Sequence, residues 1–416
     1  MIISVVGLGK LGLCTAACFA RAGYEVYGFD INKDLINIIR EGKTPFFEPG
    51  LKDLLNRVKD NLYVTYNVEE AIENAKIIFI IVPTPSNKDG AFSNEFILRA
   101  LNNILPIVKK KKDFVIIDIV STVMPGSGLN ELIPYIERLT EKKVGHDIGY
   151  VYNPEFIAIG SVIKDFLNPD IVLIGESDKR TGDFVADIYK NVCENNPYIA
   201  RTSIINAEIA KLCINCFCTM KISFANFLAE LVDKIPNASA KEITSIIGHD
   251  SRIGTKYISP GLGFGGPCFP RDNEAFIKFA FDLQKKAPLQ EAVIEINNKQ
   301  VKRAVDKIFS EILKRKNTSV VVSLLGLAYK PYTYLTERSQ QLEVAKALLE
   351  KENISELRVY DPLVNENYGW IKSESLEECV DKADIVAILT PYPEFLDVDS
   401  WKGLIKPEGK VINFWD

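Results

Sequence analysis

The first thirty residues carry the pattern that most restricts what this chain can fold into. A short apolar segment, residues 2–6, runs into Gly7-Leu-Gly9-Lys-Leu-Gly12, and a helical stretch and a second strand ending in Asp30 follow. Strand, glycine turn, helix, strand and acid in this order are the fingerprint of a dinucleotide-binding βαβ unit. Gly7 permits the tight turn, Gly9 lets the backbone approach a pyrophosphate, and Gly12 allows close packing of helix on sheet. The pattern therefore predicts a dinucleotide site near the start of the chain.

The acid at the end of the second strand indicates which dinucleotide is bound. Asp30 stands 18 residues after Gly12, at the distance where an acid accepts hydrogen bonds from the adenosine ribose hydroxyls. The same carboxylate would repel a 2′-phosphate at that place. We therefore expect NAD, and not NADP, as the cofactor.

Composition excludes several other classes of protein. A formal charge of −5 disfavours a general nucleic-acid binder. The longest uninterrupted apolar runs are far shorter than a bilayer span, and the first residues lack the basic start of a signal peptide. Eight cysteines in 416 residues are too few for a disulfide scaffold. We expect a cytoplasmic protein with reduced thiols, no membrane segment, no nucleic-acid partner and no bound metal.

A similar strand pattern recurs near the carboxyl end. Leu357-Arg-Val-Tyr-Asp361 echoes Val26-Tyr-Gly-Phe-Asp30, and residues 383–391 echo the buried strand and loop of residues 75–83. Strands that alternate with helical segments favour parallel sheets. The predicted fold class is α/β, with two doubly wound Rossmann-like domains joined by a long, apolar central helix. The predicted domains are residues 1–200 for NAD, residues 201–300 for a central helical and dimerisation region that includes a glycine-rich cysteine loop, and residues 301–416 for a second Rossmann-like domain.

A glycine-rich segment carries the most reactive candidate residue. The segment reads Gly261-Leu-Gly-Phe-Gly-Gly-Pro-Cys268-Phe-Pro-Arg-Asp272. Its glycines would let backbone amides close around a ligand. If a helix starts after Cys268, its positive end would stabilise a thiolate there. The alternative is an inert cysteine packed after a flexible turn, which is our expectation for the other seven cysteines.

Two polar residues share one face of the apolar central helix. Lys211 and Asn215 are four residues apart, so both project to the same side. A lysine withdrawn from water is suited to act as a general base. The alternative, a lysine at the solvent edge of the helix, stays open at this point.

These motifs together resemble the UDP-glucose/GDP-mannose dehydrogenase family, which comprises NAD-dependent nucleotide-sugar 6-dehydrogenases. The resemblance covers nearly the whole chain, in order, and the Gly263–Asp272 segment is its most specific part. The other matching stretches are Gly7–Gly12, Phe47-Glu-Pro-Gly-Leu51, Val82-Pro-Thr-Pro85, Ser121-Thr122-Val123, Asn153-Pro-Glu155-Phe156, Ala207–Asn215, Lys221-Ile-Ser-Phe224, Arg252-Ile-Gly-Thr-Lys256 and Gly326-Leu-Ala-Tyr-Lys330-Pro331.

The resemblance implies a four-electron oxidation of a sugar C6 hydroxymethyl group to a carboxylate. It makes Cys268 the nucleophile that captures the aldehyde and then carries a thioester. Lys211 and Asn215 would act on the C6 oxygen, Thr122 and Asp272 would hold a catalytic water, and Glu155 would be the base for hydrolysis. Without the resemblance, Thr122 is equally a turn cap and Glu155 equally a loop acid.

The same resemblance implies that the cysteine loop of residues 201–300 is catalytic and that residues 301–416 bind the sugar nucleotide. It also implies the binding residues and a homodimer in which Arg252 reaches the neighbouring subunit's site. The implied cofactor-binding residues are Gly7, Gly9, Lys10, Leu11, Gly12, Asp30, Lys33, Pro83, Thr84, Ser121 and Thr122. The implied substrate-binding residues are Glu155, Phe156, Ile157, Lys211, Asn215, Arg252, Gly261, Gly263, Phe264, Gly265 and Lys330.

Four positions depart from the usual pattern of the family. Leu35 and Trp415 replace basic residues, Ile159 replaces a glutamate, and Glu337 replaces an arginine, with Arg338 next to it. The proposed chemical residues are intact, so the departures bear on the choice of sugar nucleotide and on the affinity for NAD. UDP-glucose is the first expectation, and UDP-N-acetylhexosamines and GDP-mannose remain open.

Two other functions are compatible with parts of the pattern. A two-electron hydroxyacid dehydrogenase could share the fold, but it has no need for a cysteine in a glycine-rich loop. A non-catalytic NAD-binding protein would not need Thr122, Glu155, Lys211, Cys268 and Asp272 together.

Overall fold

The computed structural model describes residues 1–315 and 319–416 and confirms the α/β class. The described chain separates into two compact units, residues 1–212 and 213–416. The three-part division predicted from the sequence stays a prediction.

The first unit is built on an eight-stranded sheet in the order β3-β2-β1-β4-β5-β6-β7-β8. The central strands are buried on both faces, as expected for parallel strands covered by helices on either side. The strands are β1 (Ile2–Val6), β2 (Glu25–Phe29), β3 (Leu62–Thr65), β4 (Ile77–Ile80), β5 (Val115–Ile119), β6 (Ile148–Tyr152), β7 (Ile171–Glu176) and β8 (Tyr198–Thr202).

Helices cover both faces of this sheet and bury two separate apolar clusters against it. Asn32 begins one helix by accepting hydrogen bonds from the backbone N–H groups of Asp34 and Leu35. The helices are α1 (Lys10–Arg21), α2 (Lys33–Arg40), α3 (Leu51–Val58), α4 (Val68–Ile72), α5 (Glu95–Lys110), a π-helical turn (Gly128–Leu132), α6 (Ile133–Thr140), α7 (Val162–Leu167) and α8 (Lys179–Val192).

One strand pair departs from the parallel arrangement predicted from the sequence. β6 and β7 are antiparallel, with Val151 opposite Glu176 and Tyr152 opposite Gly175. The other strand pairs recorded in this sheet are parallel. The chain between β6 and β7 holds only a loop and the six-residue helix α7, so β7 returns beside β6 in the opposite direction.

The second unit holds a parallel five-stranded sheet in the order β11-β10-β9-β12-β13. Its strands are β9 (Val320–Leu325), β10 (Ile354–Tyr360), β11 (Ile371–Lys372), β12 (Ile385–Ile388) and β13 (Lys410–Asn413). Its helices are α10 (Ala240–Gly248), α11 (Phe269–Asp282), α12 (Pro288–Leu313), α13 (Gln340–Leu349), α14 (Leu376–Val380), α15 (Pro393–Leu396), α16 (Val398–Trp401) and a 3₁₀ turn (Lys402–Leu404).

The long central helix predicted from the sequence is α9 (Ile204–Val232), which starts in the first unit and ends in the second. Within the described part of the chain it is the one helix with the length and hydropathy of a membrane span, with a mean hydropathy of 1.4 over a window that is 44% buried. Single polar residues interrupt the sequence of α9, so it contains no long uninterrupted apolar run. Length and composition alone do not distinguish such a helix from a core helix.

Candidate active site

The glycine turn after β1 has the geometry that the fingerprint requires. Gly7 has φ of +95°, and a Cβ there would lie 2.2 Å from the carbonyl oxygen of Ile81. A Cβ on Gly12 would lie 1.9 Å from the carbonyl oxygen of Gly7, so the helix approaches the turn as closely as the chain allows. Space is open above Gly9, which precedes α1 without a side-chain cap. The turn and the helix start therefore fit a pyrophosphate.

Asp30 is held in place at the end of β2. Its carboxylate accepts hydrogen bonds of 2.8 Å from the backbone N–H groups of Leu8 and Asn32. The acid is thereby tied to the glycine turn itself. Nearby, the ammonium group of Lys33 lies 5.3 Å from the centre of the Tyr66 ring.

The remaining candidate cofactor residues follow β4 and β5. The strand order reverses between β1 and β4, which is the switch point where doubly wound sheets bind ligands. The Ser121 hydroxyl accepts a hydrogen bond from Val82 N–H and donates one to Val82 C=O, so it links the two loops. Pro83, Thr84 and Thr122 therefore lie on loops at this edge of the sheet.

Glu155 follows β6 and has an unusual environment. Burial raises the pKa of its carboxyl to about 7, although the Tyr189 hydroxyl and the charge of Lys211 act in the opposite direction. Tyr189 donates a hydrogen bond of 2.9 Å to Oε1 of Glu155. A carboxyl group that titrates near neutral pH is suited to general acid–base catalysis.

Lys211 is withdrawn from water, as its interpretation as a general base requires. It is only 6% exposed, and Nζ lies 4.9 Å from the centre of the Phe156 ring. The first unit therefore brings Glu155, Phe156 and Lys211 together, and the solvent-edge alternative for Lys211 is wrong.

Glu208 connects the start of α9 to the segment after Thr122. Its buried carboxylate accepts hydrogen bonds of 2.6 Å and 2.8 Å from the backbone N–H groups of Gly126 and Gly128. Lys211 lies one helical turn after Glu208 on the same helix. This contact therefore attaches the start of α9 to the loop that follows Thr122.

The second unit contains Asn215, Cys268 and Asp272. Nδ2 of Asn215 donates a hydrogen bond of 2.5 Å to Oδ2 of Asp272. Asp272 lies in the first turn of α11, and its N–H donates to the Cys268 carbonyl oxygen at 2.9 Å. Cys268 occupies the residue just before α11, where the helix dipole favours a thiolate.

The cysteines differ sharply in access to solvent. All eight are thiols, and Cys268 is exposed, whereas Cys14, Cys216 and Cys379 are buried. Burial raises the pKa of these three buried thiols. Cys213 is also exposed, contrary to our expectation of a core residue. Cys213 lies inside α9, whereas Cys268 precedes the first residue of α11.

The glycine-rich segment before Cys268 is packed tightly against its own unit. The N–H groups of Gly261, Gly263 and Phe264 donate to the side chains of Asn226, Gln340 and Asn297. A Cβ on Gly261 would lie 2.4 Å from the Trp415 ring, and a Cβ on Gly265 would lie 2.4 Å from the Arg338 carbonyl oxygen. In the described structure these glycines allow close packing, and their predicted contact with substrate stays a prediction.

Lys330 and Arg252 belong to the second unit. Lys330 lies on the loop after β9 and is half-buried. The Arg252 guanidinium is largely exposed and pairs with both carboxylate oxygens of Asp250. Its predicted role in a neighbouring subunit's site stays a prediction.

Three residues near the candidate site had no role in the sequence analysis. Tyr189 donates a hydrogen bond to Glu155, burial and then the nearby Cys268 raise the pKa of Tyr329, and Asp118 is fully buried in β5. Tyr329 lies in the Gly326–Lys330 motif and could have been noticed. No sequence signal marks Tyr189, which sits at an ordinary buried position of α8.

The glycine turn, Asp30 and the switch-point loops define an NAD-binding oxidoreductase. Family models for UDP-glucose/GDP-mannose dehydrogenases match the chain in three parts. The NAD-binding domain matches residues 1–193, the central domain residues 205–299, and the UDP-binding domain residues 323–412. The chain therefore belongs to the UDP-glucose/GDP-mannose dehydrogenase family, its cofactor is NAD, and its substrate is a small sugar nucleotide.

Individual relatives carry different substrate names. The chain is 32% identical to UDP-glucose 6-dehydrogenase AglM of Haloferax volcanii over 96% of its own length and 93% of that protein. It is 34% identical to GDP-mannose 6-dehydrogenase of Pseudomonas aeruginosa, again over 96% and 93%.

Solved structures show the same breadth. A UDP-glucose dehydrogenase from Pyrobaculum islandicum has a TM-score of 0.86 and 30% identity, with coverage of 100% of this chain and 94% of that one. A UDP-D-ManNAc dehydrogenase from Pyrococcus horikoshii has a TM-score of 0.84 and 27% identity, with coverage of 100% and 96%.

Proposed function

We propose that this protein oxidises the C6 hydroxymethyl group of a nucleotide sugar to a carboxylate, with UDP-glucose as the first candidate substrate. The observation that carries the proposal is the exposed Cys268 at the start of α11, four residues before the Asp272–Asn215 hydrogen bond. Relatives named for UDP-glucose, GDP-mannose and UDP-D-ManNAc support the reaction class. The similarity to UDP-glucose 6-dehydrogenase AglM of Haloferax volcanii supports UDP-glucose in particular.

The chemistry divides between one nucleophile and several proton-handling groups. NAD, held by the glycine turn and Asp30, would accept a hydride from C6 in each of two oxidations. Between them, the Cys268 thiolate adds to the aldehyde carbon, a C–S bond forms, and the carbonyl electron pair moves to oxygen. After the second oxidation the carbon is a thioester of Cys268, and attack by water releases the carboxylate and the thiol. The balance is one alcohol, two NAD⁺ and one water to one carboxylate, two NADH and three protons.

The other residues take roles that their surroundings suit. Lys211 removes the C6 hydroxyl proton or stabilises the charge on that oxygen, with Asn215 as a hydrogen-bond partner. Glu155 accepts the proton of the attacking water, because its pKa of about 7 leaves a usable fraction ionised at neutral pH. Thr122 and Asp272 position that water.

Binding of the sugar nucleotide would involve three stretches of the chain. Phe156 and Ile157 follow Glu155 in the first unit, and Lys330 would contact the phosphate or the sugar. The segment from Gly261 to Gly265 would shape the rest of the site.

We further propose a homodimer in the cytoplasm. Four large apolar side chains of α9 are exposed, as expected for a face covered by a partner. They are Phe217, Phe224, Phe227 and Leu231. Arg252 would complete the partner's site. Light scattering on the active enzyme should give twice the chain mass, and a fully active monomer would contradict this proposal.

The test is a panel of UDP-glucose, UDP-N-acetylhexosamines and GDP-mannose with NAD, followed by NADH absorbance and product mass. We expect two NADH for each uronate formed. One NADH per substrate would indicate a two-electron dehydrogenase, and saturable NAD binding without turnover of any sugar nucleotide would indicate a non-catalytic protein.

Two substitutions test the covalent step. Cys268→Ser should give a slow or stoichiometric burst of NADH and a mass increase on the protein, because an alkoxide leaves less readily than a thiolate. Cys268→Ala should stop at the aldehyde. Cys213→Ala is the matched control, since Cys213 is also exposed, and it should retain activity. Uronate formation at a near-normal rate by Cys268→Ala would refute the thioester route.

A further inference from the structure

The Phe47-Glu-Pro-Gly-Leu51 motif has no chemical role in the proposed reaction, yet it contains a buried carboxylate. Glu48 is 6% exposed. Its Oε1 accepts a hydrogen bond of 2.7 Å from Val162 N–H, and its Oε2 accepts one of 3.0 Å from Gly160 N–H. These donors lie more than a hundred residues away in the sequence, so the contact fixes two distant segments to each other.

We propose that Glu48 is a positioning residue that holds residues 156–162 in the shape required by the sugar-nucleotide site. The inference rests on the proposed function, which places Phe156 and Ile157 against the substrate.

Glu48 itself is anchored to the core of the first unit. The motif turns through Gly50, which has φ of +78° and precedes α3. Leu51, the first residue of α3, is fully buried in the cluster that also contains α1 residues. The carboxylate is thus presented from a fixed turn, and the loop that it contacts is held relative to the core.

The loop has a second anchor at its other end. Tyr189 holds Glu155 by its hydrogen bond, so residues 156–159 lie between two fixed points, Glu155 and Gly160. Gly160 has φ of +95°, a conformation that favours glycine, and it turns the chain toward α7. Within the turn, Ala158 N–H donates to Oδ2 of Asp165 at 3.2 Å. Loss of the Glu48 contact would therefore free the far end of the substrate loop while Glu155 stays attached.

The contact depends on both oxygens of a carboxylate. Glutamine at this position has the same shape but offers a single acceptor oxygen, and its NH₂ group would face a backbone N–H. Glu48→Gln therefore replaces one charged hydrogen bond with a donor-to-donor clash. Packing around the side chain is retained, which separates positioning from a general loss of fold.

Hydrogen exchange gives the direct test. The amides of Gly160 and Val162 should exchange roughly tenfold faster or more in Glu48→Gln than in the wild type. Amides of β1, in the same unit, should keep their wild-type rates. The surface variant Glu73→Gln, at an exposed position of the first unit, should change neither set.

Kinetics distinguish positioning from a merely structural role. The KM for the sugar nucleotide should rise roughly tenfold, whereas the KM for NAD should stay within about twofold of the wild-type value. Both values rising together would indicate general disruption and would overturn the proposal. Unchanged exchange at Gly160 and Val162, or faster exchange with an unchanged sugar-nucleotide KM, would also overturn it. If the wild type oxidises no sugar nucleotide, the proposed function fails, and the Glu48 contact is then judged by the exchange rates alone.

Discussion

Asp118 is a carboxyl group in the middle of an apolar layer, and it gives a stability prediction with a defined sign. It lies in β5 opposite Phe79 of β4 and Val151 of β6, all three residues being fully buried. Among the described residues, neither of its oxygens has a hydrogen-bond partner. Burial, reinforced by the charge of Glu155, raises the pKa of Asp118 well above its ordinary value. We expect the folded protein to keep this group protonated at neutral pH.

The magnitude follows from proton linkage. Between the ordinary pKa and the raised pKa, the folded state holds a proton that the unfolded state has released, so stability falls as pH rises. The slope is about 1.4 kcal/mol per pH unit for one such group. The loss accumulates for as long as the pH stays below the raised pKa of Asp118. Asp118→Asn has nearly the same shape and no proton to release, so this part of the loss should disappear.

Native-state hydrogen exchange of β5 is the suitable assay, because it reports on the first unit. All three tryptophans lie in residues 213–416, so tryptophan fluorescence follows the second unit separately. The quantity to compare is the difference in opening free energy between Asp118→Asn and the wild type, at pH 5 and at pH 7. Contributions of titrating groups that do not interact with Asp118 cancel in this comparison, whereas that of Glu155, whose charge acts on Asp118, remains. Asp60→Asn, at an exposed position, is the matched control.

The advantage of Asp118→Asn should grow as pH rises from 5 to 7, by up to about 1.4 kcal/mol for each pH unit, and the control should show no such growth. An advantage that is the same at both pH values would show that Asp118 carries no buried proton. An advantage that shrinks as pH rises would also refute the argument, because a protonated Asp118 in the folded state requires the opposite sign.

Three further predictions concern the reaction. Replacement of NAD by NADP should lower kcat/KM strongly, because Asp30 would face the 2′-phosphate; comparable values for the two cofactors would contradict this. Lys211→Ala should lower kcat by ~10²–10⁴-fold with a much smaller effect on KM, and steady-state kinetics showing a change below about tenfold would remove Lys211 from the chemistry. The rate of thioester hydrolysis should fall as pH drops through about 7, since the pKa of Glu155 lies there and the base must be ionised. A pH profile of kcat in Cys268→Ser, where hydrolysis of the corresponding ester by the same base limits, tests this, and an acid limb that persists in the double variant with Glu155→Gln would assign it to another group.

Much of the fold was predictable because its signals are local. The strand at Ile2–Val6 has the bounds that the apolar pattern predicts, and the strand Glu25–Phe29 ends directly before Asp30, as that pattern requires. The long apolar helix that the sequence predicts between the two domains is Ile204–Val232. Each of these elements is specified by its own residues and by the glycines beside it. The antiparallel pairing of β6 with β7 was not predictable, since it depends on how a short connection crosses the sheet edge.

The candidate site divides in the same way. Cys268 and Asp272 were found because glycines and a helix start lie next to them in the chain. Whether Lys211 is exposed could not be decided from a helical pattern, because its burial depends on Phe156, which belongs to a different loop. Contacts across the sequence, such as that of Tyr189 with Glu155, leave no periodic trace in either partner.

Buried carboxyl groups show most clearly why the sequence alone falls short. Glu48, Asp118 and Glu208 are all acids at buried positions of the first unit, and nothing in the sequence ranks one above another. The structure separates them by their partners: Glu48 and Glu208 each accept two backbone N–H bonds, whereas the Asp118 carboxyl has none. An acid with two N–H partners is compensated for burial and can fix a loop, while an acid without partners must keep its proton. Buried carboxyl groups therefore fix a backbone segment at Glu48 and at Glu208, whereas at Asp118 the carboxyl group makes stability depend on pH.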